Sequence, residues 1–282
     1  MLVLSELRNM LSVTKYSVLI LVVLLASLQF SGISSVYSNG EAVSTFEDAV
    51  VQAESNTVYF VFPDHDPAHK KPPGVGQAWL SDWTAIGFLY GMCANMPQNI
   101  APDTRTSLFS NVDGSPQISD AVSLLFGGPL VSVPDDFYEE ERLAPVYWQN
   151  DDDTYYWYTS DGTRIDRTAM PFTDLVAGDQ DMFVVETFTD NSNNRIFIIY
   201  GYGWKATFAG GKFFKSIIYP DLESYTCSFY IFKWADSNGD GFVDLDEIIT
   251  TPVASGWLDS CKKARQPIFS MSHRRQRELA IE

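Results

Sequence analysis

Ala121-Val-Ser-Leu-Leu-Phe126, followed by Gly127-Gly128-Pro129, is an almost wholly apolar run stopped by a glycine turn. A strand with one wet face alternates apolar and polar residues, but here only Ser123 interrupts the run. It reads as a strand buried on both faces, which a sheet covered above and below requires. Upstream, Thr57-Val-Tyr-Phe-Val-Phe62 is a second buried strand, β-branched and aromatic, ended by Pro63. A helix over Glu41 to Asn56 precedes it, with Val43, Phe46, Ala49, Val50 and Ala53 at helical spacing. Trp79 to Met92 reads as another helix, with Trp83, Ile86, Leu89 and Tyr90 on one side. Downstream, Val133 to Leu143 forms a third, carrying Asp135, Asp136, Glu139, Glu140 and Glu141 on a wet face.

Hairpins dominate the second half. Ala144 to Trp148 and Tyr155 to Thr159 flank the acidic turn Asn150-Asp-Asp-Asp153. Asp181 to Thr189 and Arg195 to Tyr200 are joined through Asp190-Asn-Ser-Asn-Asn194. Lys205 to Ile218 keeps a helical period in spite of Gly210 and Gly211, and Ser228 to Ala235 is a further strand. The pattern gives an α/β fold, a mixed sheet flanked by helices on both faces. No internal repeat suggests a solenoid.

Composition fixes a broad class. With 45% hydrophobic and 14% aromatic residues, the 282-residue chain can build a large core. A formal charge of −17 opposes binding to phosphate backbones, so no nucleic-acid partner is expected. Arg8 and Lys15 precede the apolar run Tyr16-Ser-Val-Leu-Ile-Leu-Val-Val-Leu-Leu-Ala-Ser-Leu28. Residues 1–38 therefore read as a signal peptide or an N-terminal membrane anchor, with both alternatives open. Residues 39–256 then form an extracellular domain, and 257–282 a basic tail carrying Lys262, Lys263, Arg265, Arg274, Arg275 and Arg277. Three cysteines, Cys93, Cys227 and Cys261, leave at least one unpaired, and their spacing does not suit zinc.

One loop carries specific chemistry. Asp236-Ser-Asn-Gly-Asp-Gly-Phe-Val-Asp-Leu-Asp-Glu247 resembles the twelve-residue EF-hand calcium loop position by position. Asp236, Asn238, Asp240, Asp244 and Glu247 supply oxygens at positions 1, 3, 5, 9 and 12, and Phe242 supplies its carbonyl at position 7. Gly241, at position 6, permits the sharp turn. Calcium is a hard cation served by oxygen ligands, so Ca2+ is the expected cofactor. A strand leading into the loop and a helix leaving it give a strand–calcium loop–helix element. The strand argues for a structural clamp, because sensor EF-hands open a helix pair.

Other constellations are weaker. Asp64-His65-Asp66-Pro67-Ala68-His69 holds two of the three histidines beside two aspartates, but Pro67 prevents a shared helical face. This loop is the basis for an alternative, an extracellular metal-dependent hydrolase. Gly127-Gly128-Pro129 and Gly201-Tyr-Gly203 read as strand-ending turns, since the proline and the spacing break a dinucleotide fingerprint. Tyr155-Tyr156-Trp157-Tyr158 reads as sheet packing. No nucleophile elbow or lysine-bearing phosphate loop occurs, and no carboxylate pair stands out, so no catalytic residue is assigned.

Residues 121–132, Ile196-Phe-Ile-Ile-Tyr-Gly-Tyr-Gly-Trp204 and Ala206 to Ala209 resemble segments of archaeal S-layer and related cell-surface proteins. The resemblance lies in strands ending abruptly in glycine turns on an exported acidic chain. It implies a non-catalytic envelope protein, with further copies of itself or other envelope proteins as partners. No N-x-S/T acceptor occurs in the chain, a departure from commonly glycosylated surface layers.

Overall fold

The computed structural model describes residues 45–64, 84, 85, 87 and 98–258. Thr45 starts the first helix, α1 (Phe46–Ser55), through a capping box. Its hydroxyl accepts the Asp48 N–H at 3.1 Å, while its own N–H donates to the Asp48 carboxylate at 3.2 Å. Then come β1 (Val58–Phe62), β2 (Gln98–Pro102) and β3 (Val122–Phe126), all five residues of β3 being buried. A helix α2 (Val133–Glu140), the hairpin β4 (Val146–Asp151) and β5 (Thr154–Thr159), and the short β6 (Met170–Pro171) follow. The chain continues through α3 (Phe172–Ala177), β7 (Gln180–Thr189), β8 (Arg195–Gly201) and α4 (Trp204–Phe213). A π-helical turn over Phe214–Ile218 leads on to β9 (Phe229–Ala235) and β10 (Ile248–Gly256).

Seven strands form one sheet in the order β10-β9-β7-β8-β3-β1-β2. The half comprising β8, β3, β1 and β2 is parallel, while β7, β9 and β10 alternate in direction. Parallel strands need cover on both faces. On one face α1, α4 and the π turn supply it, with the Phe46 and Phe197 ring centroids 5.6 Å apart. On the other face lies a smaller sheet, β4-β5-β6, together with α2. Trp157 of β5 is fully buried there, its ring centroid 5.0 Å from that of Tyr200 on β8. Burying such a side chain contributes about 3 kcal/mol.

The α/β class and the mixed sheet stand, with α1 and α4 on one face and α2 on the other. On that second face an unexpected three-stranded sheet shares the cover with α2, because the Tyr-rich hairpin buries one side of its own. Both expected hairpins form. The acidic helix is corrected: Asp135, Asp136 and Glu139 are buried and face the interior, not water. The loop 236–247 ends in a single 3-10 turn, Leu245–Glu247, and is followed by edge strand β10 instead of a helix. Pro252 sits where the β10–β9 register slips between Ile249 and Ala254, a bulge that also blunts the sheet edge. Of the expected helix over Trp79 to Met92, the described residues Thr84, Ala85 and Gly87 are helical and the others lie outside them.

Candidate functional site

Loop 236–247 leaves the end of β9 and returns to β10 on the same edge. Its start is pinned by the Asp236 N–H, which donates to the Asp179 carbonyl at 2.7 Å. The acidic side chains turn inward onto the loop's own backbone. Asp236 accepts the N–H groups of Gly239 at 2.7 Å and Gly241 at 2.8 Å. Asn238 accepts the Asp240 N–H, and Asp240 the Phe242 N–H, both at 2.8 Å. Gly239 and Gly241 stand at φ 75° and 80°, the left-handed conformation that lets the chain wrap this tightly.

Glu247 closes the ring. One carboxylate oxygen accepts the Ser237 N–H at 2.9 Å, and the other accepts the Asp244 N–H at 3.1 Å and the Trp234 indole N–H at 3.3 Å. Burial pushes its carboxyl upward, but the N–H groups of Asp244, Asn238 and Ser237 and the Trp234 indole outweigh that and hold it below its ordinary value. Lys212 of α4 braces the far side, donating to the Val243 carbonyl at 2.8 Å and standing 3.3 Å from Asp244. Phe242 leaves its side chain 72% exposed, so only its carbonyl can serve as a ligand.

The donor set fits a hard cation in type and order. Each ionised carboxylate has about four acceptor sites, so the amide bonds leave lone pairs for an ion. Among the described residues, however, no group of three His, Cys, Asp or Glu side chains converges at metal-binding distance. Asp236, Asn238, Asp240, Asp244 and Glu247 are thus gathered on one loop and turned to its amides. Residues 65–69, with His65, Asp66 and His69, lie outside the described residues, as do the N-terminal segment, the tail beyond residue 258, Cys93 and Cys261. Cys227 is a free thiol. No helix among the described residues is long and apolar enough to cross a membrane.

A second site was hidden from sequence reasoning. After β3 the chain passes to α2 on one face, and after β8 it passes to α4 on the other. Neighbouring parallel strands whose connections diverge leave a crevice beyond their carboxyl ends. Here a partly open crevice of about 110 Å³ lies between the turns at 127–131 and 200–204, with Trp148 and Thr207 on its walls. Gly128 is required there: at φ 68°, a Cβ would meet the Tyr200 ring at 2.4 Å.

Behind those walls sit carboxyl groups. Asp135 and Glu139 come from α2 and Glu186 from β7, exposed by 0%, 1% and 0%. Tyr200 donates its hydroxyl to Glu139, and the Val146 N–H donates to Glu186 at 3.2 Å. Neither oxygen of Asp135, nor Oε1 of Glu186, has a hydrogen-bond partner. Burial and then the Glu139 charge push both groups well above the ordinary carboxylate range. Asp181, at the start of β7, accepts the Gly203 N–H at 2.8 Å, and burial raises it to about 7 against the opposing N–H bonds. A clue to these buried acids lay in the sequence: Asp135 and Glu139 share a helical face with the apolar Tyr138, whereas Glu140 points away.

Comparison with known proteins adds no relative: the chain matches no family model, no curated protein and no solved structure.

Proposed function

We propose that this chain is an exported, non-catalytic cell-envelope protein, S-layer-like in kind, whose loop 236–247 takes Ca2+ as a structural clamp. The observation that carries the reading is Glu247. The residue that closes such a loop already reaches across it, bonded to backbone at both ends of the ring. Asp236, Asn238, Asp240, Asp244, Glu247 and the Phe242 carbonyl would hold the ion. Bound there, it supplies positive charge to clustered oxygens and ties β9 to β10 at the sheet edge. The helix-pair opening of a sensor has no counterpart, since strands flank the loop on both sides.

Calcium titration of the full chain tests this directly. One ion should bind with a dissociation constant of roughly 10⁻⁴ to 10⁻³ M, the range of extracellular modules. Calcium at ten times that constant should stabilise by about 1.4 kcal/mol and raise the melting temperature by about 3–5 °C. Asp240→Ala, at an exposed position, should abolish the shift. A melting temperature indifferent to calcium and chelator, together with chelator-insensitive retention in envelope fractions, would sink the reading.

A further inference from the structure

The crevice between β3 and β8 has a chemistry of its own, independent of the calcium loop. Its walls are ring faces and glycine backbone, with Trp204 at the lip 45% exposed and Trp148 within. Its hydroxyls are already committed to the protein. Tyr200 donates to Glu139, Tyr202 donates to the Thr168 carbonyl at 3.2 Å, and Thr207 accepts the Gly201 N–H at 3.1 Å. A sugar, which needs converging polar partners, finds none to spare on these side chains.

An anion fares worse. Among the described residues, no Lys, Arg or His lines the crevice. The N-terminus of α4 would attract a phosphate, but its Gly203 N–H is held by Asp181. Lys205 next along donates to the Gly178 carbonyl at 2.8 Å. A hard metal ion would want a shell of oxygens in place of rings.

Carboxyl groups stand directly behind the wall. Glu139 is bonded to Tyr200 and Asp181 to Gly203, both wall residues. Asp135, fully buried, lies against the Gly128 backbone. Aromatic faces backed by carboxyls in a partly desolvated slot favour one ligand class, a soft and weakly hydrated cation. We propose that this crevice binds a small organic ammonium ion, stacked against Trp204 and Trp148 and held by the acidic groups behind Tyr200, Gly128 and Gly203.

Calorimetric titration of the full chain with tetramethylammonium chloride provides the test, run with and without calcium at constant ionic strength. Saturable binding near roughly 1 mM is expected, unchanged by calcium. Sodium chloride, inorganic phosphate and methyl glucoside should give no saturable heat. Trp204→Ala should weaken binding by about 3- to 30-fold, the range of one cation–π contact. Trp204→Phe, which keeps a ring, should retain affinity within about threefold. Trp257→Ala, which removes an exposed tryptophan outside the crevice, should bind as the unmodified chain does. Absence of saturable tetramethylammonium binding overturns the assignment, as does equal binding of methyl glucoside or full affinity in Trp204→Ala.

Discussion

Carboxylates do opposite things in two regions of this molecule. In the loop 236–247 they are turned onto N–H groups, and the buried Glu247 is held in its ionised form by Ser237, Asn238 and Asp244. In the layer beneath α2, Asp135 and Glu186 keep oxygens with no partner, and burial beside Glu139 favours their protonated forms. Residue type is therefore a poor guide to charge in the folded chain. What decides is whether backbone donors reach the carboxylate before desolvation does. The loop stores its acids where a cation can be added. The buried layer instead holds a set that favours a proton, or a cation close by.

The largest expected effect breaks this contrast with pH. Asp181 rises from an ordinary 3.8 to about 7, so between those values the native chain holds a proton that the unfolded chain releases. Its contribution is fully present below pH 3.8 and is lost as pH rises through about 7. That amounts to roughly 4 kcal/mol, taking about 1.4 kcal/mol per unit. Asp135 and Glu186 act with the same sign. Urea unfolding midpoints in calcium-free buffer should be higher at pH 5 than at pH 8. The charge of −17 adds repulsion in the same direction, so Asp181→Asn isolates the one group. That variant should flatten the pH dependence markedly; an unchanged slope would remove Asp181 from the account.

A smaller effect separates the two regions by one substitution in each. Glu186→Gln removes a buried carboxyl that has to take up a proton on folding and keeps an acceptor for the Val146 N–H, so it should stabilise the chain by about 1 kcal/mol at pH 7.5. Glu247→Gln puts an amide nitrogen among the N–H donors of Ser237, Asp244 and Trp234, so its melting temperature should fall even without calcium. Shifts of the same sign in both variants would show that the distinction between the regions is wrong.

The fold was legible wherever burial left a simple pattern. β1, β3, β7, β8 and the two hairpins stand within a few residues of their sequence-based limits, because apolar runs bounded by turn residues have few alternatives. Gly210 and Gly211, awkward for a helix, are explained by packing: a Cβ on Gly210 would lie 2.6 Å from Ile199, and one on Gly211 3.0 Å from Ala85. Edge strands β2 and β10 were not legible, since Gln98-Asn-Ile-Ala-Pro102 is short and polar and Pro252 interrupts the other. The calcium loop could be read because its ligands lie within twelve consecutive residues. The crevice could not, because its walls come from separate turns at 127–131 and 200–204, and its acids from α2 and β7. Only the sheet brings them together, and the acids on α2 look like a wet face until the second sheet is placed over them.

The smallest expected effect sharpens the loop side of the contrast. Phe242 is a large apolar side chain, 72% exposed, at a position where an EF-hand-like loop uses only the backbone. Phe242→Ala preserves the N–H that donates to Asp240 at 2.8 Å, as well as the carbonyl offered to the ion. Little burial is lost, so stability should change by no more than about 0.5 kcal/mol. Calcium affinity should stay within about twofold, because the ligand is the carbonyl. Melting curves and calcium titration of this variant beside Asp240→Ala check both points. A loss in Phe242→Ala as large as in Asp240→Ala would mean that the aromatic ring organises the loop, and that the oxygen ligands are not its main determinant.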